Sequence, residues 1–173
     1  HDDGSAEEWF NVADSAAQNN YAAVKFNASD SGEDVVRFKW RQNGSGGAFY
    51  IKIWEDDNGL PGNEIYSKVI ASSIIDGWNE NDLSTEGLNV SRDFWVGIKE
   101  FSSSQPFGLD TDSNSGYSYK RISNDGNWEP VEGNIMCRVF LDSQMISARE
   151  ISSLDNGERE SLIKYPIYTL KWE

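Results

Sequence analysis

The 173-residue sequence contains one cysteine, one histidine, four prolines and no apolar run of transmembrane length. A lone cysteine, Cys137, excludes an intramolecular disulfide and a cysteine-based zinc cluster. The lone histidine, His1, sits at a terminus where nothing holds it, which removes Ser–His–Asp, Cys–His and His-ligated zinc arrangements. Helical periodicity is almost missing, and no glycine motif that cradles phosphate precedes a helix. No signal-peptide pattern is read in these residues, and the HDDG start reads as that of a cut fragment, so we expect export to rest on other features. Cations are also scarce. Fifteen basic residues face 29 acidic ones, a formal net charge of −14. Such a surface repels phosphate backbones and anionic lipid heads, so we expect no nucleic-acid partner and no membrane insertion. It suits solubility outside the cell and draws divalent cations.

Aromatic residues are plentiful, with seven Trp, seven Tyr and eight Phe. Disordered chains lack them, so a folded core is expected. Alternation of period two dominates. DVVRFKWR sets Val36, Phe38 and Trp40 against Val35, Arg37, Lys39 and Arg41. AFYIKIWE sets Phe49, Ile51 and Ile53 against Tyr50, Lys52 and Trp54, and FWVGIKEF sets Phe94, Val96 and Ile98 against Trp95, Gly97 and Lys99. Weaker strands are expected at 21–26, 64–70, 74–83, 117–122 and 135–141, the last burying Cys137 as an inert thiol beside Ile135, Val139 and Leu141. Breakers intervene: QNGSGG, EDDNGLPGN, SSSQPFG and SNDGN. Short strands spaced by such turns predict an all-β fold, a two-layer antiparallel β-sandwich of jelly-roll-like kind. The module is expected over residues 1–141. Residues 142–173 change character and form a C-terminal tail whose YPIYTLKW run is a possible closing strand of the same domain.

The ordered series DDGSAEE, YAAVKF, FYIKIWEDDNGLPGNEIYS, GWNENDLS, FWVGI, GLDTDSNSGYSY and GNIMCR resembles a jelly-roll module of large secreted bacterial proteins. Such modules accompany extracellular peptidases, adhesin-type repeats and C-terminal sorting segments. The resemblance covers about residues 2–141 and fails for the tail. It implies a non-catalytic accessory module outside the cytoplasm, with neighbouring domains of a larger chain as its partners.

Two chemistries remain to be placed. Calcium wants six to eight oxygen ligands, and GLDTDSNSGYSY sets Asp110, Asp112 and Asn114 at every second position. It is no EF-hand: Ser115 stands where the sharp-turn glycine belongs, and Arg121 where the twelfth-position glutamate belongs. In a sandwich a cation bridges distant loops, so Asp2, Asp3 and Glu7, and Asp56, Asp57 and Asn58, are further candidates. The competing reading is that Asp, Asn and Ser stabilise turns through side chain–backbone hydrogen bonds. The second chemistry is stacking of a glycan or cell-surface ligand on exposed aromatics. Trp54 and Trp95 share faces with lysines and are the first candidates for a platform, while Trp78, Trp128, Tyr117 and Tyr119 lie in or beside loops. For each of these aromatics taken singly, covering the edge of the sheet or packing under loops is the stronger reading. Carboxylate pairs of the glycosidase kind exist in any set of 29 acids, but no nucleophile–base set accompanies them, so no enzyme activity is expected. Sequons at Asn27, Asn43 and Asn89 are glycosylation acceptors only in a eukaryotic secreted chain.

The expectation is therefore an extracellular or cell-surface accessory or adhesion module, stabilised by calcium. A carbohydrate-binding module with an aromatic platform and a structural spacer are the alternatives.

Overall fold

The computed structural model describes residues 4–12, 19–44, 47–71, 75–100 and 106–142. His1, Asp2, Asp3 and the tail beyond Asp142 lie outside the described residues. Among the described residues thirteen strands run in order: β1 (Glu8–Phe10), β2 (Tyr21–Asn27), β3 (Glu33–Gln42), β4 (Phe49–Asp57), β5 (Leu60–Ile70), β6 (Gly77–Asp82), β7 (Asn89–Val90), β8 (Asp93–Glu100), β9 (Phe107–Asp110), β10 (Ser118–Arg121), β11 (Trp128–Pro130), β12 (Asn134–Ile135) and β13 (Cys137–Asp142). Every pairing is antiparallel. A seven-stranded sheet centres on β3, which pairs with β13, β6, β7 and β9, while β9 also pairs with β1 and β12. A six-stranded sheet runs β11-β10-β2-β8-β4-β5. The sheets do not close into a barrel. The expected two-layer all-β sandwich is what forms.

The core lies between the layers. Ala22 and Val24 of β2, Phe94, Val96 and Ile98 of β8, and Phe49, Ile51 and Ile53 of β4 face Val35, Phe38 and Trp40 of β3. Phe38 stacks on Trp40 at 5.6 Å, and Trp40 meets Phe49 edge-on at 5.3 Å. Cys137 is buried in the same cluster. These are the faces that alternation marks, with one exception. Val35, not Val36, is buried, because the β3–β13 register slips between Phe140 and Leu141 and leaves Val36 without an opposite residue. A one-residue slip exchanges the two faces of a strand.

Turn chemistry also differs from expectation at 55–63. Only Asn58 and Gly59 form the turn, with φ of 53° and 85°, the two positive angles of a type I′ hairpin loop. Asp56 and Asp57 pair with Pro61 and Leu60 within the β4–β5 ladder, so they are strand residues rather than free loop acids.

Candidate binding face

A strand exposes two faces, and the six-stranded sheet turns its second face outward. Cross-strand register arranges that face in rows. The first runs Trp128, Arg121, Tyr21, Lys99, Tyr50 and Val69 across all six strands. The second runs Pro130, Tyr119, Ala23, Gly97 and Lys52, and the third contains Lys25, Trp95 and Trp54.

Small residues at the centre let large ones cover it. Ala23 opposes Gly97, where a Cβ would come within 1.9 Å of the Ala22 carbonyl oxygen, so β2 and β8 approach too closely for any side chain there. Tyr21, Ala23, Trp54 and Trp95 form a second buried cluster, with Tyr119 and Trp128 packed against it. Trp54 and Trp128 start on strands separated by three others, yet their rings meet edge-on at 5.7 Å, so both indoles lean inward. Tyr119 meets Trp95 edge-on at 5.2 Å.

This corrects the platform assignment. Trp54 and Trp95, expected to be exposed, are 3% and 0% exposed. The Trp95 indole N–H donates to Asp56 Oδ1 at 2.8 Å, satisfying the one polar atom that burial would otherwise strand. Trp128 and Tyr119, half-buried, lie on strands β11 and β10 rather than in loops, and they are the lid of the cluster. Trp78 sits on β6 of the other sheet under the Arg138 guanidinium at 4.3 Å, away from this face. Tyr117 is exposed just before β10, its carbonyl accepting from the Lys25 N–H. Tyr21, Tyr50, Lys99 and Arg121 belong to the face and were not singled out. Tyr50 was legible, since it alternates with Lys52 and Trp54. Tyr21 and Arg121 became neighbours only through the long-range β2–β10 pairing.

A charged rim surrounds the rings. Lys25 pairs with Asp93 at 2.7 Å and Asp56 at 3.3 Å, and its ammonium lies 5.8 Å from the Trp95 ring. Burial alone would lower its pKa, but hydrogen bonds to Asp93 and Asp56 and their charge leave it raised. Burial would raise Asp56, yet donation from the Gly59 N–H, the Trp95 indole and Lys25 holds its carboxyl below the ordinary value. Hydrogen bonds from Lys25 and Asn27 do the same for Asp93. Lys52, 8% exposed, pairs with Glu64 at 2.7 Å.

The acidic loops are built as turns. Asp110 is buried, its Oδ1 accepting from the Asp112 N–H at 3.0 Å and its Oδ2 from the Ser113 hydroxyl at 3.5 Å. Asn114 Oδ1 accepts from the Gly116 N–H at 2.9 Å. Buried Asn134 clamps the loop: its Oδ1 accepts from the Ser115 N–H and hydroxyl at 3.0 and 2.6 Å, and its Nδ2 donates to the Ser113 carbonyl at 3.1 Å. Glu7 does reach this loop, as a shared cation would require, but it accepts from the Thr111 N–H at 3.2 Å. Asp57 accepts from the Asn58 amide, and Asp56 serves Trp95 and Lys25. Among the described residues no three Asp, Glu, His or Cys side chains converge as a metal would need.

Comparison with known proteins adds context. No family model matches the chain. It is 31% identical over 163 residues to bacillopeptidase F of Bacillus subtilis strain 168, a match covering 82% of this chain and 11% of that protein. The chain thus spans about a tenth of the length of this curated relative. In fold it is similar to the crystal structure of the cysteine protease and lectin-like domains of Cwp84, a surface layer associated protein of Clostridium difficile. The TM-score is 0.58 at 13% identity, over 75% of this chain and 33% of that one. A second structure, the Clostridial cysteine protease Cwp84 after propeptide cleavage, gives a TM-score of 0.58 at 14% identity, covering 81% and 38%.

Proposed function

We propose that the chain is a non-catalytic accessory module of a larger secreted or surface protein, working outside the cell by binding rather than by chemistry. The observation that carries this reading is partial coverage: a whole sandwich corresponds to a tenth of bacillopeptidase F. The fold-level likeness to Cwp84, which falls on its lectin-like domain, supports the same reading. Such a module's nearest partners are the neighbouring domains of its parent chain. A carbohydrate ligand is favoured by a specific feature, the aromatic and cationic rows on the outer face of the six-stranded sheet.

Binding is favoured over catalysis by the state of the acids. A depression of about 280 Å³ on the other sheet is lined by Arg37, Glu80 and Asp82. Glu80 there is held by Lys39 at 3.5 Å and Arg37 at 3.8 Å, and Asp82 accepts from the Ser84 N–H. Hydrogen bonds from Ser84 lower the Asp82 pKa, the opposite of what a general acid at neutral pH needs.

The test uses the 173-residue chain. Incubated with casein and with chromogenic glycosides it should release no product, and it should co-sediment with insoluble cell-wall polysaccharide. Turnover would overturn the non-catalytic reading. Failure to sediment with any insoluble glycan would overturn the carbohydrate reading.

A further inference from the structure

The first row of the outer face alternates ring and cation without interruption. Arg121 lies 4.8 Å from the Trp128 ring and 4.1 Å from the Tyr21 ring. Lys99 lies 5.6 Å from Tyr21 and 5.9 Å from Tyr50. The row ends at Val69, 49% exposed. Lys25 and Lys52 on the same face have carboxylate partners, but neither Lys99 nor Arg121 has one among the described residues. That is unexpected in a chain with 29 acids and 15 bases.

We propose that this row binds an acidic saccharide, a pyranose polymer whose rings carry carboxylates, laid across the strands. The inference rests on the carbohydrate reading above and specifies its ligand class. Adjacent strands are about 4.8 Å apart, so a ligand crossing them meets a ring and a cation by turns. A polymer of acidic sugars presents a matching alternation of C–H faces for Trp128 and Tyr50 and carboxylates for Arg121 and Lys99. An extended peptide would instead seek a sheet edge, where backbone groups are unpaired, not a face crossing six paired strands. The net charge of −14 does not forbid an anion here. Screening acts over about 8 Å at physiological salt, so cations in contact outweigh remote carboxylates.

The experiment titrates the full chain with an oligogalacturonate, its methyl ester and poly-glutamate, in EDTA, following tryptophan fluorescence and heat. The acid form should bind saturably, and Lys99→Gln and Arg121→Gln should each weaken it by at least about ten-fold, the loss of one charge-assisted hydrogen bond. Arg37→Gln, on the other sheet, should leave binding unchanged. Circular dichroism and the unfolding midpoint verify that each variant folds, and Lys99→Arg should retain binding. Equal binding of the methyl ester would overturn the acidic ligand while leaving a carbohydrate site standing. Equal binding of poly-glutamate would overturn the saccharide in favour of an acidic peptide. Binding of neither sugar form would overturn this inference, while retention on a different insoluble glycan would keep the carbohydrate reading.

Discussion

Strands β2, β4 and β8 carry Ala22, Val24, Phe49, Ile51, Ile53, Phe94, Val96 and Ile98 on one face and Tyr21, Ala23, Lys25, Tyr50, Lys52, Trp54, Trp95, Gly97 and Lys99 on the other. Both faces bury large side chains, but by different means. The inner face meets a second sheet and is closed by volume alone, so its residues need only be apolar and of the right size. The outer face has no sheet above it. It closes by folding long aromatics over a floor of Ala23 and Gly97 and by pairing Trp95 with Asp56, Lys25 with Asp93 and Asp56, and Lys52 with Glu64 at the rim. The inner face therefore needs volume alone, and the outer face needs volume and paired charge together.

That contrast is broken most severely from the inside. Phe38→Ala removes a buried ring stacked on Trp40 and should cost about 3–5 kcal/mol, read as a lower denaturant midpoint at every pH. Next comes the floor of the outer face. Gly97→Ala forces a Cβ against the Ala22 carbonyl and should cost about 1–3 kcal/mol by overpacking. Because the strain falls under Trp54 and Trp95, ligand binding should weaken with it, whereas Phe38→Ala should leave the affinity of the folded fraction unchanged. Equal loss of affinity in the two variants would erase the distinction between the faces. Trp95→Phe keeps most of the ring but leaves Asp56 one donor short, and should cost about 1–3 kcal/mol.

How much of this was legible depends on the range of the interaction. Alternation in FYIKIWE and FWVGI named the inner residues correctly, because period two is a property of each strand by itself. The break at EDDNGLPGN was visible from its turn residues, but not that Asn58 and Gly59 alone form the turn, since that depends on Asp56 and Asp57 pairing with β5. The burial of Trp54 and Trp95 was not, because it depends on which strands flank them and on β10 and β11 arriving from residues 118–130. Lysines sharing a face argued for exposure, yet Lys25 and Lys52 hold their charges at the rim while their stems border the rings. The swap of Val35 for Val36 was hidden likewise, since a register slip is set by the partner strand.

The Asp110 loop tests a smaller difference. If its order comes from hydrogen bonds within the loop, Asp110→Ala should lower the unfolding midpoint by the equivalent of about 1 kcal/mol. The loss should be the same in EDTA as in millimolar calcium. A calcium-dependent rise in the parent chain that vanishes in the variant would instead establish a cation there, since a ligand bound only by the native state raises stability.

The smallest effect separates the faces by pH. Asp56 and Asp93 have folded pKa values below the ordinary 3.8, so they stabilise the fold above about pH 4 and lose that contribution as pH falls through the folded values. Lys25, raised above 10.5, contributes below that pH and loses its contribution as pH climbs through its own folded value. Between these limits the trio is fully charged and the midpoint should be flat on its account. Asp56→Asn should therefore make acid destabilisation below pH 4 shallower while slightly lowering stability at pH 7. The change is modest because partly exposed ion pairs contribute about 0–1 kcal/mol. Phe38→Ala should shift the whole profile down without changing its slope. An acid slope that is the same in Asp56→Asn and the parent would mean that the rim contributes no charge-dependent stability and that the rings alone close the outer face.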